Sequence, residues 1–286
     1  MLTNILRFCV VLFFIVSFAS AAEAQVHIVD CATGPNFTIQ DGINAAADGD
    51  VVAVFNCPNP YPGFTVNGRN NLQIVAADQA NNVISAMPIG VTTTPNTNVP
   101  QILENNSSCV RITGSTNISI VGFLLEACGG SGFDIDGGSW RINLHGNQLY
   151  FAADHGVHVL NGRFIDITGN FLFGAQAAGI ATEPGASYVS IEANQILFHA
   201  GDGVLMEGVG IDLTGNEIRM NGGDGVSLQS IFSRVSRNWV AGNGANEINF
   251  LNWTAPDENC VVGNWMAAAG IVPLAADLFG CHAENF

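Results

Sequence analysis

Six side chains of this 286-residue chain have the types and spacing for acid–base chemistry: Arg111, Asp134, Asp136, His158, Glu183 and Glu207. Asp134 and Asp136 stand at i and i+2, which on a β-strand puts both on one face with Cα atoms roughly 6.6 Å apart. Inverting glycosidases place a general acid and a general base about 6.5–9.5 Å apart. Arg111 and Asp134 are 23 residues apart, Asp134 and His158 are 24 apart, and Glu183 and Glu207 are 24 apart. If the chain repeats at that interval, a cation, an acid and an imidazole meet on three neighbouring strands, as substrate anchor, charged acid and proton shuttle. Glu183 and Glu207 would then lie about 4.8 Å apart between strands, and their repulsion would raise one pKa toward general-acid range. Asp154 and His155 precede the strand of His158 and would border the same face as binding groups. Asp and Glu are also the ordinary covering of an exposed sheet, so spacing alone assigns a place and not a reaction.

The elements that would position these groups are visible as a repeat. Gly132, Gly156, Gly179, Gly203 and Gly225 each open an alternating apolar segment, at intervals of 24, 23, 24 and 22 residues. A second series, Asn147, Asn170, Asn194, Asn216, Asn238 and Asn264, keeps intervals of 23, 24, 22, 22 and 26. Two residues beyond each asparagine the position is always apolar, from Leu149 to Met266. Alternation of period two means strands with one buried face. A unit of 22–24 residues holding three such strands is one coil of a solenoid, and stacked coils share one continuous core. On the glycine-started strands the outward columns then read Arg111, Asp134, His158, Ala181, Leu205, Ser227 and Thr113, Asp136, Leu160, Glu183, Glu207, Gln229.

With these markers the sequence resembles the pectin lyase-like superfamily of right-handed parallel β-helices. The recurring asparagine corresponds to that fold's asparagine ladder, in which a tight turn holds Asn in the left-handed region and its amides stack between coils. Residues 37–50 resemble the amphipathic helix that caps the first coil, followed by strands at 51–55 and 70–75. The resemblance covers residues 36–270 and implies an all-β, right-handed parallel β-helix with an N-terminal capping helix. It also implies an active groove along the glycine-started sheet. It does not imply one activity, because the superfamily includes lyases, hydrolases, epimerases and non-catalytic proteins. The polygalacturonase-like motifs Asn-Thr-Asp, Gly-His-Gly and Arg-Ile-Lys are absent, and Asp154-His155-Gly156 matches the second in part.

Composition narrows the partner. The chain carries 24 Asp+Glu against 8 Lys+Arg, a net charge of −16, and every basic residue is arginine. Nucleic-acid binding is excluded, since phosphate neutralisation needs clustered cations. A polyuronate would be repelled, so the expected partner is a neutral or weakly charged polysaccharide. A hydrophobic content of 48% with 18 Phe excludes a disordered chain.

Residues 1–24 read as a signal peptide, with Arg7, an apolar run from Cys9 to Phe18 and an Ala22-Glu23-Ala24 cleavage site. Residues 25–286 are then one β-helix domain without a membrane span, secreted or periplasmic. Six cysteines remain, in local pairs expected to be disulfides: Cys31/Cys57, Cys109/Cys128 and Cys260/Cys281. No cofactor and no metal site is expected. The turns Gly201-Asp202-Gly203 and Gly223-Asp224-Gly225 offer oxygens to calcium, the one candidate ion, but lack the calcium-binding nonapeptide pattern. His145 and His199 read as lone surface histidines, and Trp239 and Trp265 as packing against the C-terminal tail, which is expected to cover the last coil. Residues 77–100 break the period as a long loop. Two functions follow: an exported carboxylate-based glycoside hydrolase, or a non-catalytic cell-envelope or surface glycan-binding module.

Overall fold

Three sheets of ten, nine and eight strands build the protein, and in each the neighbouring strands come from successive coils. The computed structural model describes residues 23–77, 96–251, 259–267 and 274–276. One coil illustrates the rest. Ser139–His145 lies in the ten-stranded sheet, Gln148–Ala152 in the nine-stranded sheet and Val157–Val159 in the eight-stranded sheet. The chain then returns to the first sheet as Gly162–Thr168. The registers Ile142↔Ile165, Leu149↔Leu172 and Val157↔Ile180 stack like on like, so each inward apolar residue continues a buried column. These columns form one hydrophobic cluster from Val29 to Val261.

The two repeat markers have separate physical causes. A Cβ on Gly156 would lie 2.4 Å from the carbonyl oxygen of Gly179, and one on Gly203 2.6 Å from that of Gly225. The next coil's backbone therefore occupies the place of the missing side chain. The asparagines form a buried ladder, in which the side-chain oxygen of Asn194 accepts from the backbone N–H of Asn170 at 2.8 Å and from its Nδ2 at 3.0 Å. Nδ2 of Asn194 donates to Ile167 O at 2.8 Å and to Asn216 Oδ1 at 3.0 Å. The left-handed residue is not the asparagine, as the resemblance implied, but the one before it: Gly146, Gly169, Ala193, Gly215, Arg237 and Gly263. That residue turns the chain, and the ordinary backbone of the Asn lets its amide point inward.

A second turn holds a shorter ladder that corrects the reading of His199. This side chain is buried, its Nδ1 accepting from Ala175 N–H at 3.0 Å and its Nε2 donating to Leu172 O at 3.1 Å. Its own N–H donates to Asn221 Oδ1, and Asn221 repeats the contact to Asn243. Burial holds the His199 pKa down at about 3, so the ring is neutral.

A third left-handed column runs up the outer face of the ten-stranded sheet: Asn71, Asn117, Arg141, Phe164, Tyr188, Gly210 and Phe232, with φ from 52° to 67°. The first five are one-residue kinks that break the alternation of their strands, and Gly210 and Phe232 stand just before theirs.

The helix near the N-terminus is shorter than residues 37–50. It spans Ile39–Ala45, starts at a capping box between Thr38 and Asp41, and buries Ile39 and Ile43 in the main core. The disulfides Cys31–Cys57 and Cys109–Cys128 form as expected. Cys260 is also disulfide-bonded, while Cys281 lies outside the described residues. Residues 1–22 and 78–95 lie outside them too. The return of the long loop places Val99 on an outer cluster with Leu124, Tyr150 and Phe171. At the C-terminal end, Leu274–Ala276 pairs antiparallel with Asn264–Ala267, finishing a sheet that is otherwise parallel. Among the described residues, no helix is long and apolar enough to cross a membrane.

Candidate functional site

The eight-stranded sheet sets Arg111, Asp134 and His158 side by side, as the registers Arg111↔Asp134 and His158↔Asp134 show. Their strands are short, Val110–Thr113, Phe133–Asp136 and Val157–Val159, with the flanking apolar residues turned into the core. The outward side chains interact. Arg111 Nε lies 3.6 Å from Asp134 Oδ2, and His158 Nδ1 lies 3.6 Å from Asp134 Oδ1. On its other side, His158 Nε2 lies 3.3 Å from Glu183 Oε1. Glu183 follows the next coil's strand, so the row crosses diagonally from one outward column to the other. The result is an alternating line of cation, carboxylate, imidazole and carboxylate.

Exposure differs along that line. Arg111 is 57% exposed and Glu183 39%, whereas Asp134 and His158 are each 15%. Burial pushes the Asp134 carboxyl above its ordinary pKa, against the pull of His158 and Arg111. Asp136 and Asp154 push in the same direction as burial. Glu207, one coil beyond Glu183, is also raised, first by burial and then by Glu183. Its backbone is held by Thr182, whose hydroxyl accepts from Glu207 N–H and donates to Glu207 O. Among the described residues, no hydrogen bond or ion pair joins the carboxylates of Asp136 or Glu207 to the row.

Asp154 and His155 border the site as expected. The His155 ring lies 4.7 Å from that of His158, and its Nε2 is 3.5 Å from Asp154 Oδ1. Ligand atoms of Asp154, His155 and His158 fall within 4.8 Å of one another, close enough to surround a metal ion. The tautomer opposes this use. His155 Nδ1 accepts from Ala178 N–H at 3.1 Å, and burial holds its pKa down. A neutral ring with an accepting Nδ1 carries its proton on Nε2, the atom that faces Asp154, and has no lone pair there for a metal. The set fits proton handling better than coordination.

The columns do not stay exposed over their whole length. Ala181 and Ser227 are buried. Ser227 lies under the carboxylates of Asp202 and Asp224, at 2.7 and 3.0 Å. Burial pushes Asp224 up, but hydrogen bonds from Asn249, Asn246 and Ser227 outweigh it and hold its pKa below normal. The oxygens offered to calcium by the glycine–aspartate turns are therefore already engaged by protein donors. His145 is an exposed side chain, as read. Trp239 is 45% exposed, with Arg219 over its ring at 4.5 Å.

A depression of about 380 Å³ opens at the Arg111 end of the row. Its lining includes Gln40 from the N-terminal helix, Thr65, Glu104 and Ser108 together with Arg111 and Asp134. Its lining does not take in His158, Ala181, Leu205 or Ser227, so this depression serves the Arg111 end of the column. Glu104 and Gln40 were not legible as site residues, because neither falls on the repeat. The signal available for Glu104 was its place shortly before Cys109, which a disulfide ties to Cys128 on the next coil.

A family model described as the right handed beta helix region matches residues 108–266, more than half of the chain. The chain belongs to that family. No curated protein sequence matches this β-helix. Among solved structures it is similar to DFA-IIIase from Arthrobacter chlorophenolicus A6 without its lid, in complex with GF2. That match has a TM-score of 0.61 and 12% identity, covering 85% of this chain and 72% of that one. The pectin methylesterase of Aspergillus niger matches with a TM-score of 0.54 and 14% identity, covering 86% and 85%. PfbA, a surface adhesin of Streptococcus pneumoniae, matches with a TM-score of 0.51 and 12% identity, covering 80% and 74%. At such identities the likeness is one of fold.

Proposed function

We propose that this β-helix is exported and acts on an extracellular polysaccharide of low charge, cleaving a glycosidic bond by carboxylate-based hydrolysis. The observation that carries the reading is the Asp134–His158–Glu183 line, an imidazole held between a shielded carboxyl whose pKa burial raises and a more exposed carboxylate. Asp134 supplies the proton to the leaving oxygen, His158 relays protons between Asp134 and Glu183, and Asp136 on the same strand is the second carboxylate, toward water. Arg111 at the mouth of the depression positions sugar hydroxyls. Glu207 extends the acidic face, and Asp154 and His155 form its border. The signal-like N-terminus and the disulfides support export into an oxidising compartment. Enzymes of carbohydrate chemistry among the structures of like fold support the substrate class.

A non-catalytic glycan-binding module is the second reading. It is favoured by one observation, that the depression encloses Arg111 and Asp134 but not the rest of the row. The surface adhesin of like fold supports it. Incubation of the purified protein with a panel of neutral polysaccharides separates the two. Release of reducing ends that is lost in Asp134→Asn supports hydrolysis. Binding without release by the native protein overturns hydrolysis in favour of the module.

A further inference from the structure

A second, larger cleft lies on the outer face of the ten-stranded sheet, away from the carboxylate row. It measures about 810 Å³, within the range of about 300–1,000 Å³ typical of small-molecule sites. One wall is aromatic: Trp140, Phe164 and Tyr188, from three successive coils, are 38%, 42% and 48% exposed. Phe164 and Tyr188 stack with centroids 5.1 Å apart and planes 10° apart, and Trp140 meets Phe164 at 6.2 Å. Arginines lie over two of the rings, Arg141 over Trp140 at 4.4 Å and Arg163 over Tyr188 at 5.0 Å. The rings are thus fixed before any ligand arrives.

The fold does not account for these side chains. Phe164 and Tyr188 occupy the left-handed column, which Asn71 and Asn117 fill on earlier coils, Arg141 on the coil just before Phe164, and Gly210 and Phe232 on later ones. Asn and Gly adopt that conformation readily, whereas a bulky residue there costs about 1–2 kcal/mol. Burial offsets little of that cost when nearly half of each ring remains in water. Trp140 is in register with Thr116 on the coil below, so a small residue suffices there as well. Costly, exposed and rigid aromatic residues beside a cleft are the mark of a surface selected for contact with something else.

The rest of the lining states what that is. Asn71, Asn117, Asn143, Gln73 and Ser119 present amides and a hydroxyl, and the charged lining is a single pair, Arg141 and Asp166. Aromatic surface joined to uncharged donors and acceptors suits a ligand with C–H faces and many hydroxyls, and suits neither a polyanion nor a purely apolar body. The wall repeats once per coil, about 4.8 Å, a rise comparable to one sugar ring. We infer that this cleft is a binding site for a neutral oligosaccharide, lying along the helix axis and separate from the Asp134 row. It stands whether or not that row is catalytic.

Isothermal titration of the native protein with cellohexaose, xylohexaose and mannohexaose tests the inference, with trigalacturonate as the charged control. Trp140→Thr installs the residue of the coil below, Phe164→Asn and Tyr188→Asn install the residue that earlier coils carry in the same left-handed column, and circular dichroism checks that the fold is kept. At least one neutral hexaose should bind, with affinity reduced tenfold or more in Tyr188→Asn and abolished in the triple variant. Gln176→Ala, exposed and outside both depressions, should leave that affinity unchanged. Absence of binding by all three neutral hexaoses overturns the inference, as does tighter binding of trigalacturonate. So does a folded triple variant with native affinity. Sedimentation showing a dimer that the triple variant dissolves would assign the cleft to a second copy of the chain, and overturns it too.

Discussion

Nδ1 of His158 lies 3.6 Å from Oδ1 of Asp134, a buried oxygen that has no hydrogen-bond partner. The distance is too long for a hydrogen bond and short enough for a strong charge interaction, so the pair is poised to close when a proton moves. A charge on His158 favours the ionised form of Asp134, and burial opposes it.

Substituting Asp134→Asn keeps the shape and removes the titratable proton. Turnover of a neutral glycan should fall by about 10²–10⁴-fold, with KM changed little. Reducing-end release measured beside a thermal melt separates lost chemistry from lost folding. A variant with full activity would remove Asp134 from the proposed mechanism.

Arg111→Gln should act through Asp134. The guanidinium draws the Asp134 pKa down, so its removal lets burial raise that pKa further. If the protonated carboxyl is the working form, the rate falls as pH rises through this pKa. The descending limb of the pH–rate profile should then move to higher pH in the variant. A profile that keeps its position while the rate drops would show Arg111 acting on substrate alone.

Asn194→Ala tests the ladder. The substitution strands the N–H of Asn170, takes from the carbonyl of Ile167 its side-chain donor, and removes one contact each at Asn170 Nδ2 and Asn216 Oδ1, all in the interior. Unsatisfied buried groups cost about 1–3 kcal/mol each before relaxation, so the unfolding free energy should drop by about 3 kcal/mol. Asn161→Ala, on the exposed surface, should change it by less than about 0.5 kcal/mol. Denaturant titration of both reads the difference.

His199→Asn tests a pH dependence. The folded pKa of His199 is about 3 against an ordinary 6.5, so acid loads a proton on the unfolded chain first. Its contribution is fully present above about pH 6.5 and declines as pH falls toward about 3, at about 1 kcal/mol per pH unit. Asn fits the same ladder in the next coil as Asn221. Between pH 7 and pH 5 the stability of the native chain should therefore fall by about 2 kcal/mol more than that of the variant. Parallel slopes in chemical unfolding at the two pH values would contradict this.

The coils were legible because two constraints act at one site per turn and tolerate few substitutes. A Cβ on the opening glycine would lie 2.4–2.7 Å from a carbonyl oxygen of the next coil, and the ladder asparagine must donate and accept in the core. The columns that these markers align were therefore correct, down to the register of Arg111, Asp134 and His158. What escaped notice lies where the backbone departs from alternation. A left-handed residue at Arg141, Phe164 and Tyr188 shifts the strand by one position, and the aromatic wall does not repeat with a period of two. His199 looked like a surface residue because a polar ladder inside a turn leaves no apolar pattern. The diagonal reach of His158 to Glu183 depends on side-chain length, which column assignment ignores.

The contact that makes the opening glycines obligatory has a further meaning. Each coil meets its successor through the same backbone joint, Gly132 on Gly156, Gly156 on Gly179, Gly179 on Gly203 and Gly203 on Gly225. The protein is thereby modular in units of one turn, and whole turns can be gained or lost in descent without inventing a new junction. Loss of the turn that carries Glu183 would bring Glu207 into its place opposite His158, so the composition of the acidic face is tied to how many plates are in the pile.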